Sequence, residues 1–218
     1  FGACVSLTSV PLFDTSLSTS MHSMFLNCYS LTSVPLFNTS AVTEMLQPFS
    51  GCKSLTSVPL FDTSAVTNMT SMFAGCISLT SVPLFNTSAV TNMSSMFSGC
   101  QALFSVPLFD TSAVTNISSM FSACKALNRI PAFSFSSVTA ATSISNTFNQ
   151  NSSLMRMQAT GLSKTFSLAY CKLPAAALNE VYTNLPTVTG QTLTVTGNYG
   201  ASGANPGIAT VKGWTITA

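Results

Sequence analysis

The sequence predicts a repeat solenoid of α/β coils, with short parallel strands and single helical turns at a 24-residue period and a small mixed cap at its end. Three observations lead there. Cys4, Cys28, Cys52, Cys76, Cys100 and Cys124 stand 24 residues apart. Pro11 to Pro131, Phe13 to Phe133 and Leu7 to Leu127 form ladders with the same step. The phrase "FDTSAVTNMTSMFAGC" at 61–76 returns almost unchanged at 85–100 and 109–124. A fixed period of this size marks units that bury their apolar side only against their neighbours.

One coil shows how each element arises. In "LTSVPLF" (55–61), Leu55, Val58 and Leu60 are expected to point inward from a short strand and its lead-in. Pro59 has no N–H to give to a ladder, so that strand is short or irregular. "DTSAVTN" (62–68) is turn chemistry, in which Asp, Ser and Thr side chains bond to nearby backbone and start a helical turn. "MTSMF" (69–73) spaces Met69, Met72 and Phe73 as one inward-facing helical turn. Gly75 permits a left-handed exit before Cys76. Strand, turn, helical turn and turn together read as a leucine-rich-repeat-like coil.

Phe73–Cys76–Leu79–Val82, an FxxCxxLxxV pattern, resembles the signature of the BspA-like leucine-rich repeats. The half-repeat FDTSAVTNMxxMFxxC is similar to the repeat of bacterial lipoprotein-associated surface proteins. The resemblance covers residues 1–157. It implies a right-handed solenoid with parallel strands on one face, of the kind found in bacterial surface proteins, adhesins and phage virion proteins. Such proteins bind other proteins or host surfaces, and the resemblance brings no catalytic residues with it.

Toward the C-terminus the repeat decays. Phe148 lies 27 residues after Phe121, and Asn151 stands where Cys stood. Residues 1–157 are therefore expected to form the solenoid, with one 27-residue unit, and 158–218 a degenerate last coil and an α+β cap. "PAAALNEVYTNLP" (174–186) reads as an amphipathic helix with Pro174 at its start. "QTLTVTG" and "WTITA" alternate as strands, joined by a Gly-rich loop and a short helical "IATVKG". This ending is similar to the tails of phage and bacterial surface repeat proteins, and a terminal coil needs such a cover.

Composition narrows the function. Hydrophobic residues make up 46% of the chain and charged ones only 6%, with a net charge of +2. That gives no basic footprint for nucleic acid, and no apolar run is long enough to span a membrane. The start at Phe1, with no signal-peptide pattern, reads as a processed product or a portion of a longer chain.

The reactive residue types fall into ladders rather than sites. Cys28, Cys52, Cys76, Cys100 and Cys124 lack the close pairs of zinc sites, and parallel Cβ vectors suit disulfides badly, so they are expected as buried thiols. Phe73, Phe97 and Phe121 are structural with them. The row Phe13 to Phe133 is either core or an exposed stacking platform, and its place beside the DTS turn favours core. Asp14, Asp62 and Asp110 share a position with Asn38 and Asn86, which is what a capping side chain would do and a catalytic carboxylate would not. His22, the sole histidine, is expected on the surface. Asn38, Asn68, Asn86, Asn92, Asn116 and Asn151 each begin an N-x-S/T sequon. No catalytic, cofactor or metal residues emerge.

Residues that escape the repeat are the candidates for recognition: Phe1, Tyr29, Lys53, Gln101 and Lys125, with Glu44 and Leu46 of the divergent "TEMLQPF". Charge is also uneven. Over 1–124, Asp14, Glu44, Asp62 and Asp110 oppose only Lys53, and over 125–218 six cations oppose only Glu180. Opposite ends favour head-to-tail contact between copies. The expectation is a non-enzymatic extracellular structural or adhesive protein that contacts proteins on a cell surface, phage particle or filament. The alternative is a host-receptor or carbohydrate-binding module that uses one face of the coils.

Overall fold

The computed structural model describes residues 1–218. Successive coils lie parallel to one another: Ser20 bridges Glu44, Glu44 bridges Asn68, Asn68 bridges Asn92, and Asn92 bridges Asn116. A single core of 59 buried residues runs from Val10 to Trp214. Every coil thus contributes to one apolar column, as repeat units that cannot bury a core alone require.

The segment expected as a helical turn is not helical. Met69, Ser71, Phe73 and Gly75 donate their N–H groups to Asn92, Ser94, Met96 and Ser98 of the next coil, at 2.7–2.9 Å. The alternate residues Met72, Ala74 and Cys76 donate within the coil, to Met69, Ser71 and Phe73, at 3.0–3.2 Å. A helix would have spent every donor on itself, whereas this run of tight turns sends every second one along the stack. The backbone achieves this with a left-handed residue at Ser71 (φ 54°) and another at Gly75 (φ 73°). Ser23, Gln47, Ser95 and Ser119 repeat the first of these at φ 54–59°. The only helical piece of the repeat portion is a 3-10 turn, Ala141–Ile144, inside the 27-residue unit.

The expected strand also departs from its pattern. At that position of the coil, paired strands form only as β1 (Arg129–Ile130) and β2 (Arg156–Met157), which are parallel. In earlier coils the chain is extended but weakly tied, as by Thr80 N–H to Thr56 O at 3.2 Å. Pro59 supplies no donor, and Phe61 N–H folds back on the Pro59 carbonyl at 3.0 Å. An i→i+2 bond closes a γ-turn with Leu60 at its apex. Leu60 therefore points outward and is 58% exposed, contrary to the expectation that it faces the core. The same bond recurs at Phe37, Phe85, Phe109 and Phe133.

Past the repeats, β3 (Phe166–Ser167), β4 (Gln191–Thr194) and β5 (Trp214–Thr217) form a parallel sheet in that order. The helix α1 (Ala175–Asn184) starts after Pro174 and buries Leu178, Val181 and Tyr182, as its pattern predicts. Its last carbonyls have no intrahelical partner. Lys212 Nζ donates to those of Tyr182, Thr183 and Leu185 at 2.6–3.3 Å. A short α2 (Gly207–Thr210) precedes β5.

Candidate functional site

The Cys and Phe ladders lie inside. Each thiol donates to the Phe carbonyl 27 residues earlier: Cys52 to Phe25, Cys76 to Phe49, Cys100 to Phe73 and Cys124 to Phe97, at 3.0–3.1 Å. Burial pushes Cys52 and Cys124 up to about 12 and holds Cys76 and Cys100 well above the ordinary thiol value. Such thiols carry no thiolate at neutral pH and are poor nucleophiles. Phe73, Phe97 and Phe121 stack at 5.8 Å between ring centroids, almost parallel. The second row, Phe37 to Phe133, is buried as well.

Beside them runs a buried polar ladder whose burial the sequence pattern did not announce. Thr39, Thr63, Thr87 and Thr111 are 1–2% exposed. Their hydroxyls donate to the carbonyls of Asp62, Asn86, Asp110 and Ser134 in the following coil, at 2.7–2.8 Å. The preceding Asp or Asn closes an Asx turn. Asp62 Oδ1 accepts from Ser64 N–H at 3.0 Å and from its hydroxyl at 2.7 Å. The backbone N–H bond, helped by the hydroxyl, holds the Asp62 carboxyl below its usual value. Asp and Asn alternate here because either supplies the accepting oxygen, though the segment they introduce is not helical.

The sequence-derived recognition residues do not converge. Tyr29, Lys53, Gln101 and Lys125 are exposed in one file, the residue after each Cys, and Lys53 Nζ sits 4.2 Å above the Tyr29 ring. Glu44 is exposed and Leu46 half-buried, and both belong to the bridged segment rather than to that file. Phe1 is half-exposed and stacks on Phe25 at 5.6 Å. His22 is exposed. Asn151 is fully buried, so its sequon is closed to modification. Its Oδ1 accepts Cys124 N–H at 3.1 Å, and its Nδ2 has no partner.

The structure turns Leu60, expected inside, out to the surface, and its counterparts in the other coils with it. Leu12, Leu36, Leu60, Leu84 and Leu108 form a file down the stack, each 58–66% exposed. The signal was present as the recurring P-L-F, where a γ-turn at the Pro-Leu step turns Leu out and Phe in. Shallow hollows of about 300–400 Å³ lie between Leu12 and Leu36, between Leu36 and Leu60, and between Leu84 and Leu108. One is lined by Leu36, Phe37, Asn38, Thr39, Leu60 and Asp62, and another by Leu84, Phe85, Asn86, Thr87, Leu108 and Asp110. Since Asp alternates with Asn, each of these hollows carries two leucines, one carboxylate and one carboxamide. Asp14, Asp62 and Asp110 make no ion pair, since the chain's one salt bridge joins Arg156 to Glu180 at 3.0 Å. An aligned file of exposed apolar side chains differs from the singly scattered ones that protein surfaces ordinarily carry.

No helix of the chain is long and apolar enough to cross a membrane. No curated protein matches the chain. Among solved structures, it is similar to a leucine-rich repeat protein from Bacteroides ovatus, with 16% identity and a TM-score of 0.42. That similarity covers 87% of this chain and 53% of the other, so the chain spans about half the length of that protein. A family model matches residues 1–81 and 56–159, the portion that carries the BspA-like phrases. The chain belongs to that repeat family, described as "Mycoplasma protein of unknown function, DUF285".

Proposed function

We propose that this chain is a non-enzymatic repeat scaffold that makes protein–protein contacts outside the cell, on a cell surface, phage particle or filament. In this reading residues 1–157 are an open solenoid and 158–218 close its end. The observation that carries the proposal is the file of exposed leucines from Leu12 to Leu108. Its side chains stay more than half exposed, and apolar surface removed from water is what drives most protein association. The paucity of charge and the Ser/Thr surface fit an extracellular setting. The acidic repeats and basic C-terminal part favour head-to-tail association of copies.

The test uses beads coated with the chain or with a Leu36→Asn, Leu60→Asn, Leu84→Asn variant, applied to panels of extracellular proteins and of glycans. Adhesion to proteins that the variant loses, together with surface labelling of intact source cells or particles by antibody, is the expected result. Adhesion to glycans alone, or equal adhesion by both proteins, overturns the reading.

A further inference from the structure

Two of the sequon asparagines, Asn38 and Asn86, differ from the rest in what surrounds them. Both are exposed. Asn38 Oδ1 accepts the Ser40 N–H at 3.2 Å and the Ser40 hydroxyl at 2.8 Å. Asn86 Oδ1 accepts the same two groups of Ser88 at the same distances. The N–H donors fix which end of each carboxamide is the oxygen, so Nδ2 is the end left without a protein partner. The backbone beneath is anchored. The Asn38 carbonyl accepts the Thr15 hydroxyl at 2.8 Å, and the Asn86 carbonyl accepts that of Thr63 at 2.7 Å.

An N-x-S/T sequence is an acceptor for sugar transfer to asparagine. The reaction needs a carboxamide nitrogen that a donor can reach and that can lose a proton. Hydrogen bonds from Ser40 and Ser88 into Oδ1 draw charge to the oxygen, which makes an Nδ2 proton easier to lose. This turn is local and needs no neighbouring coil, so a nascent chain can form it too. The other sequons lack the room. Asn68, Asn92 and Asn116 are half-buried on the bridged segment of successive coils, and sugars on them would start from adjacent turns. Asn151 is buried. Asn38 and Asn86 stand two coils apart, with Asp62, which has no Nδ2, between them.

Resting on the extracellular setting proposed above, we infer that Asn38 and Asn86 are N-glycosylation sites, their donor an oligosaccharide carried on a polyprenyl pyrophosphate. Nδ2 attacks the anomeric carbon of the first sugar and an N–C bond forms. The anomeric C–O bond breaks, its electron pair leaves on the pyrophosphate, and the Nδ2 proton passes to a base of the transferase. Nothing is oxidised or reduced. Asn38 lines the hollow between Leu36 and Leu60, and Asn86 the one between Leu84 and Leu108. The sugars therefore screen part of the leucine file, and the bare chain is the more adhesive form.

The test is mass spectrometry of peptides from the chain purified from its source, before and after treatment with peptide N-glycosidase. The expected result is a releasable glycan on Asn38 and Asn86 and none on Asn68, Asn92, Asn116 or Asn151. Two variants made in the source should lose it. Asn38→Asp, Asn86→Asp keeps the turn, as Asp62 does, and Ser40→Ala, Ser88→Ala keeps both asparagines without the hydroxyls. On protein-coated beads the Asp variant should adhere more strongly than the glycosylated parent. Bare Asn38 and Asn86, or glycan on Asn68, Asn92 and Asn116 instead, overturns the inference, and equal adhesion overturns the screening. Bare sites on a chain collected outside the cell sink this inference alone, whereas a chain found only inside the cell sinks the functional reading as well. If the leucine variant adheres as well as its parent while both sites carry sugar, only the functional reading fails.

Discussion

The Cys100 thiol donates to the Phe73 carbonyl at 3.1 Å, joining two coils through a contact that recurs down the ladder. A thiol in that place is a small apolar filler with one weak bond, and it cannot ionise without breaking both roles. Thiol reagents should therefore label Cys4, which is exposed, in the native protein, and the other six only after unfolding. Mass spectrometry of labelled native protein checks this, and several rapid additions would contradict the buried ladder.

The same thiols set an alkaline limit. Their folded pKa lies above the unfolded 9.0, so the stability they contribute is complete below pH 9.0 and declines as pH rises toward about 12. Melting temperature should fall between pH 8 and pH 10.5, and by less in a Cys76→Ala, Cys100→Ala variant. An equal fall in both proteins would place the sensitivity elsewhere.

On the acid side the direction reverses. Bonds from Ser16, Ser64 and Ser112 lower the aspartates, and Arg156 lowers Glu180. Their contribution is present above the ordinary values of 3.8 and 4.5 and is lost as pH falls through the lowered ones. Thermal scans should be flat from pH 5 to 8 and decline only below pH 4.5. Because these groups are exposed, the decline should be shallow.

Phe73 and Leu60 separate inside from outside. Phe73→Ala removes a ring from a fully buried stack and should cost about 3–5 kcal/mol. Leu60→Asn, at an exposed apex, should stay within about 0.5 kcal/mol. Urea titration measures both, and comparable losses would mean the faces are exchanged.

Thr87 and Ser71 probe the bonds between coils. Thr87→Val removes a buried hydroxyl donor to Asp110 O and should cost about 1 kcal/mol. Ser71→Val forces a β-branched residue to φ 54° and should cost about 1–2 kcal/mol, while Ser71→Gly should be tolerated. Chemical denaturation of the three variants decides.

The ladders of Cys28 to Cys124 and Phe73 to Phe121 were legible in the sequence because a 24-residue recurrence needs no knowledge of the backbone. The helix α1 was legible because its apolar spacing and Pro174 agree. Leu60 was not. Hydrophobic patterning assumes an unbroken period, and the γ-turn at Pro59–Phe61 shifts the phase, so Leu60 and Phe61 exchange the faces that alternation from Val58 would give them. Met69, Met72 and Phe73 misled differently. Their spacing suits one helical turn, but left-handed Ser71 places the same three side chains inward while freeing donors for the neighbouring coil. Residue type carries little signal for a positive φ at serine. The scattered candidates Tyr29 to Lys125 stand out in the sequence by their variability, whereas the leucine file repeats as faithfully as the core and so carries no signal of its exposure.

The bonds that send every second donor of Met69 to Gly75 onward to the next coil also decide how the molecule would carry load. Under tension applied through its two ends, an array of this kind yields at its outermost turn and not throughout, since each turn is held only by those beside it. Every yielding step releases one 24-residue phrase, about 80 Å of extended chain, and leaves the remainder intact. A protein strung between two surfaces would thus lengthen in equal increments under strain, as a fuse that pays out its line one loop at a time.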